Sequence, residues 1–187
     1  MKASILAAGA ALFALAGCST AEESATANLA EAGNETIVAK PTPAARDKTA
    51  EESFADSVAA ANTYVMAAGA LAQEKGGSAA IKAYGKMISD DHNQSTMKLK
   101  MAAKDVEGGL FIDPTLSAEQ ERNIQTLQKA SGPDFDSAFV SQQIAAQTKL
   151  MAIVDDYRLN GKQQPLTIFA SWEMAKLRTH LARAKAL

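Results

Sequence analysis

From Phe54 to the C-terminus, apolar residues recur at three- and four-residue spacing, and no stretch alternates them convincingly with period two. That rhythm commits the chain to helices and leaves strands unneeded. A first helix is expected over Ser53–Gln73, opened by the capping-box sequence Thr49-Ala50-Glu51-Glu52 and ended by Gly76-Gly77. A second runs over Ser78–Lys104, with Ile81, Tyr84, Ile88, Ser95, Leu99 and Ala102 on one face. Gly108-Gly109 and Pro114 mark a connection, and Ser117-Ala118-Glu119-Gln120 caps a short helix that ends near Ser131-Gly132-Pro133. A third long helix spans Asp134–Leu159, with a stripe of Phe135, Phe139, Ala146, Leu150, Ile153 and Tyr157, and Asp134 and Asp136 suit the positive end of its dipole. Asn160-Gly161 breaks the chain, and Pro165 fits the first turn of a last helix that turns Phe169, Leu177, Leu181 and Ala184 inward. The expected fold is all-α: a four-helix bundle, read as up-down-up-down, with one extra short helix.

The N-terminus carries a different signal. One basic residue, Lys2, precedes an apolar run from Ile5 to Phe13, and Leu15-Ala16-Gly17-Cys18 follows. That layout is a secretory leader, and the run is shorter than the roughly 20 residues that span a bilayer. Leu-Ala-Gly-Cys resembles the bacterial lipoprotein box. The resemblance implies cleavage after residue 17 and a lipidated Cys18 that anchors the protein to a membrane of the cell envelope, facing the periplasm. Ser19 after the cysteine, by resemblance to enterobacterial sorting, favours the outer membrane. Residues 18–52 are mostly Ala, Thr, Glu, Ser, Asn and Pro, with Pro41 and Pro43 opposing regular structure. They read as a disordered tether that holds a domain at 53–187 off the membrane surface, about 30–35 Å away in root-mean-square terms.

Removing the leader removes only Lys2, so 18 basic residues face 21 acidic ones, a net charge of −3. Such a balance excludes the usual nucleic-acid binder, which carries a basic patch. With a single cysteine the chain forms no internal disulfide. Its core must hold the domain alone.

The chain contains two histidines, His92 and His180, both beside the inward stripes of long helices. In an up-down-up-down bundle the second and fourth helices run parallel, which places the two rings within about 3 Å of the same depth. Asp91 adjoins His92, and Glu173 lies two turns before His180 on the same face. Imidazole with carboxylate suits iron, zinc or copper, so Asp91, His92 and His180 are the candidate metal ligands. A di-iron site would want a carboxylate from every helix and two Glu-x-x-His pairs, and this chain has no such pair. The alternative is a set of core histidines hydrogen-bonded to neighbours. Six methionines (Met66, Met87, Met97, Met101, Met151, Met174) fall in helices but form no array, so they read as core filling rather than copper ligands. There is no phosphate loop and no nucleophile motif.

Tyr84-Gly85, Met87-Ile88, Asp91-His92, Leu99 and Ala102-Ala103 resemble one helix of a bacterial envelope family, the ferritin-like domain of unknown function 4142. Ser131-Gly132-x-Asp134-Phe135-Asp136, Gln142-Gln143-Ile144-x-Ala146, His180-Leu181 and the terminal Ala184-Lys185-x-Leu187 are similar to the same family. The resemblance covers Phe54 to Leu187 and implies a ferritin-like bundle in a secreted or lipid-anchored protein. The family's pattern carries a glutamate where this chain has Val65, a histidine where it has Gln147, and a proline where it has Ala175. If the four inward polar positions bind metal in the family, this member lacks two ligands. What remains is a buried set of Asp91, His92, Gln147 and His180, hydrogen-bonded directly or through water.

The expected function is therefore that of a non-catalytic envelope lipoprotein acting by structural support or by binding an envelope protein or small ligand. The rival is a metal-binding, redox-protective bundle using His92, His180 and Asp91. A hydrolase using Glu173 and Asp91 is a weaker third. The paired imidazoles also imply acid sensitivity, since they repel once protonated.

Overall fold

A computed structural model of the protein describes residues 47–187. The leader, Cys18 and the tether as far as residue 46 lie outside the described residues. Five helices account for most of the rest: α1 (Ala50–Lys75), α2 (Ala79–Lys104), α3 (Ala118–Lys129), α4 (Gly132–Asn160) and α5 (Gln164–Ala184). No strand occurs among the described residues, and none of the helices is long and apolar enough to cross a membrane. The fold is all-α, a four-helix bundle with one short extra helix.

The local signals act where the sequence carries them. The Thr49 hydroxyl accepts from Glu52 N–H while the Glu52 carboxylate accepts from Thr49 N–H, so α1 starts at Ala50, three residues before the expected Ser53. Ser117 and Gln120 make the same reciprocal pair on α3. Ser78 caps α2 through Ile81 N–H. Pro133 and Pro165 sit in the first turns of α4 and α5, where a missing N–H costs nothing. Gly132, at φ +54°, supplies a left-handed backbone conformation at the start of α4.

Helix direction differs from the up-down-up-down expectation. Met66, Gly69 and Ala72 of α1 meet Ser89 and Gly85 of α2, an antiparallel pair. Tyr84 and His92 of α2 meet Phe139 and Gln147 of α4 in the same order, so α2 and α4 are parallel. The α5 residues Lys176, His180 and Arg183 meet Asp91 and Met87 in descending order, so α5 runs antiparallel to α2. The reason is the connection 105–131, which contains α3 and carries the chain back along the bundle before α4 begins. A bundle with one such long crossover has the ferritin-like connectivity. Around the bundle, α1 packs on α2 and α4, and α5 packs on α4 and α2, with α3 laid against α1 and α4.

The core is split into two apolar clusters. One gathers Phe54, Val58, Leu99, Leu150, Val154, Tyr157, Leu166 and Phe169 around the start of α1. There Phe54 stacks on Tyr157 with ring centroids 4.0 Å apart. The other gathers Tyr64, Val65, Ile81, Tyr84, Ile88, Phe135, Phe139 and Ala184 around the end of α1. Between them lies a polar layer.

Candidate functional site

All four long helices contribute to that layer. Asn62 from α1, His92 and Ser95 from α2, Gln143 and Gln147 from α4, and Glu173 and His180 from α5 are each no more than 1% exposed. The structure brings His92 and His180 together, with ring centroids 5.2 Å apart and planes tilted by 40°. They meet although their helices are antiparallel, because His92 is near the middle of α2 and α5 is short and set so that its last turns reach that level.

The hydrogen bonds fix the tautomer of His92. The Asn62 amide nitrogen donates to Ser95 Oγ (3.0 Å) and Thr96 Oγ1 (3.2 Å), so its carbonyl oxygen must accept. It accepts from His92 Nδ1–H at 2.8 Å. His92 Nε2 then keeps its lone pair and accepts from the Gln147 amide at 3.3 Å. His92 is a neutral ring held on both sides by neutral amides. Burial lowers its pKa to about 3, and the neighbouring His180 adds to the effect.

His180 is held by a charge instead. Its Nε2–H donates to Asp91 Oδ2 at 2.9 Å, and Lys176 Nζ donates to Asp91 Oδ1 at 2.7 Å. Burial also lowers the pKa of His180, opposed by the Asp91 carboxylate. Partial burial would raise the pKa of Asp91, but the hydrogen bonds from Lys176 and His180 outweigh it and hold the carboxyl below its usual range. Glu173 makes no ion pair of its own, and the charges of Asp91 and Lys176 act on it in opposite senses. Burial pushes its carboxyl up to about 7, tempered by the hydrogen bond from Ser95.

Five atoms of the layer have no partner in the protein: both amide atoms of Gln143, Gln147 Oε1, Glu173 Oε2 and His180 Nδ1. Four of the five are oxygen or lone-pair nitrogen atoms. Buried polar atoms of this kind take a partner from ordered water or an ion.

Few free donors remain for the transition metal that the sequence suggested: His180 Nδ1, Glu173 Oε2 and Gln147 Oε1. Both ring nitrogens of His92 and both carboxylate oxygens of Asp91 are already engaged. Val65 is packed among apolar side chains, and Gln147 offers an amide. Among the described residues, no three of His, Cys, Asp or Glu are grouped so as to hold an ion. Sequence reasoning located Asp91, His92, Gln147, Glu173 and His180 but missed Asn62, Ser95 as its partner, Gln143 and Lys176. The signal that would have found Asn62 and Gln143 is a polar residue standing in the apolar stripe of its own helix.

The layer is also closed. None of the described surface clefts is lined by Asp91, His92, Glu173 or His180. The largest set of lining residues belongs to a cleft of about 480 Å³ between α1, α3 and α4. Ala60, Ala61, Ala145 and Ala146 are among its lining residues, as is the Tyr64–Gln142 hydrogen bond.

Neither a curated protein nor a solved structure matches this sequence. One family model does, over residues 37–187, and it reaches into the segment that reads as a tether. The chain belongs to the family described as the domain of unknown function DUF4142.

Proposed function

We propose that the protein is a lipid-anchored component of the bacterial envelope whose bundle works by binding or structural support rather than by catalysis. The observation that carries this reading is the closure of the polar layer. His92, Glu173 and His180 are the side chains with the chemistry of acids and bases, and each is 1% exposed and absent from every described cleft. A group that no substrate reaches does no chemistry on one. A hydrolytic role for Glu173 and Asp91 is disfavoured because Glu173 is buried and both Asp91 oxygens are bound by Lys176 and His180. The anchor rests on the leader and on Cys18.

The anchor is tested by intact mass. The full chain, made in a bacterium, is expected in the membrane fraction, shortened by the leader and heavier by its acyl chains. Cys18→Ser abolishes both changes. Recovery of the wild-type chain in the soluble fraction with an unmodified cysteine would overturn the reading.

A second reading, a metal-binding and redox-protective bundle, is favoured by one observation. His180 Nδ1, Gln147 Oε1 and Glu173 Oε2 are unpartnered acceptors within the same layer. Iron, zinc or copper would be the candidate ion.

A further inference from the structure

Six large apolar side chains stand exposed among the described residues, and five of them, on α2, α4, α5 and the connection after α2, lie nearer one end of the bundle: Met97, Met101, Phe111, Leu159 and Ile168. The sixth, Leu187, is the C-terminal residue and lies toward the other end. Phe111 is 84% exposed in the connection after α2, and Leu159 is 65% exposed in the last turn of α4. Met101 and Ile168 line a groove of about 500 Å³ between α2 and α5. Phe169 and Trp172 line it too, and Lys98 Nζ lies 4.9 Å from the Trp172 ring centroid. Exposed apolar residues scattered singly need no explanation, whereas Met101 and Ile168 share one groove with Phe169 and Trp172, an apolar surface of the kind that something covers.

The position of the chain's entry says what covers it. The described chain begins at Asp47, immediately before α1, and the first turns of α1 belong to this same end, where Phe54 packs on Tyr157 and Phe169. Only 28 residues separate Asp47 from Cys18. As a flexible coil they would span about 30 Å. We infer that this end of the bundle is a bilayer-docking surface, which lowers Phe111, Leu159, Met101 and Ile168 into the headgroup region of the membrane that holds the lipid anchor. The inference rests on the anchor at Cys18. It replaces a domain standing off the membrane by one that rests on it.

Physical chemistry makes such a contact sufficient though small. A short tether raises the effective concentration of the surface at the membrane to the millimolar range, so weak intrinsic affinity suffices. The end also carries charges of both signs, with acidic residues such as Asp47, Glu51, Glu52, Asp105, Glu107 and Asp113 in excess. Docking therefore follows burial of apolar surface rather than headgroup charge.

Trp172 is the only tryptophan in the chain and reports from within the groove. The experiment uses the full chain carrying Cys18→Ser, so that no lipid attaches, with vesicles of brominated phosphatidylcholine. Saturable quenching of Trp172 is expected, little changed by added phosphatidylglycerol or by salt. A Phe111→Ser/Met101→Gln/Ile168→Gln chain, folded by circular dichroism and keeping the same leader, is expected to partition about tenfold or more weakly. Absence of quenching, or equal quenching of the two chains, would overturn the inference. So would quenching that requires phosphatidylglycerol and is lost in high salt, or a dimer in sedimentation that the triple substitution dissolves, which would make a second copy the occupant. Failure of the anchor is read separately, from the mass of the wild-type chain.

Discussion

His92 and His180 lie side by side yet are held by opposite means. His92 has a neutral amide on each nitrogen, and His180 has a carboxylate on one nitrogen and nothing on the other. Glu173 shares this interior, and burial dominates over the opposing hydrogen bond of Ser95 and charge of Lys176. The Glu173 pKa rises from 4.5 unfolded to about 7 folded, so the folded chain holds that proton longer. The associated stability is full below pH 4.5 and is lost as the pH rises through 7. His92 works the other way. Its pKa falls from 6.5 to about 3, so the stability it brings is full above 6.5 and is lost as the pH falls toward 3. Glu173→Gln removes only the first dependence. It is expected to stabilise the domain at pH 8 by about 1–3 kcal/mol while changing little at pH 4.5, as read by denaturant titrations at the two values. An equal effect at both pH values would show that Glu173 does not titrate in this window. The two histidines are legible in the sequence because they are the only two and stand beside apolar stripes, and Asp91 because it adjoins His92. Asn62 and Gln143 are not legible as part of the inward face of α1 and α4, whereas Gln147 is, through the family resemblance. Amides there look like interruptions, and the α4 stripe was drawn through Ala146 and Ile153 where Gln143, Gln147 and Val154 are the buried positions.

At the scale of the element, the clearest requirement is the close approach of α1 and α2. A Cβ on Gly85 would lie 2.7 Å from Ala72 Cβ and 2.8 Å from the Gly69 carbonyl oxygen, one neighbour a side-chain carbon and the other rigid backbone. Gly85→Ala must therefore push the helices apart and is expected to destabilise by about 1–3 kcal/mol in thermal or chemical unfolding, despite alanine's better helix propensity. A neutral or stabilising result would mean that the two helices pack less closely than this. Caps and breaks were legible, since Thr49–Glu52, Ser117–Gln120 and Pro165 act through their immediate neighbours. Helix direction was not. The 105–131 connection reads as a loop with a short helix, and nothing local in it states that it returns along the bundle before α4.

For the whole molecule, the arrangement is two apolar clusters with a sealed polar layer between them, carried by a chain that enters at the end richest in exposed apolar side chains. The class of fold followed from periodicity alone. The layer's bonding did not, because it depends on which atoms face each other across four helices. We propose that ordered water rather than a resident metal completes this layer, whose unpartnered atoms include Gln147 Oε1, Glu173 Oε2 and His180 Nδ1. The most direct test is elemental analysis of the full chain, purified without a histidine tag or chelator, beside a His92→Ala/His180→Ala control. No iron, zinc or copper above the control is expected, even after incubation with each ion, with loss of stability alone in the variant. Near-stoichiometric metal that disappears in the control would contradict it.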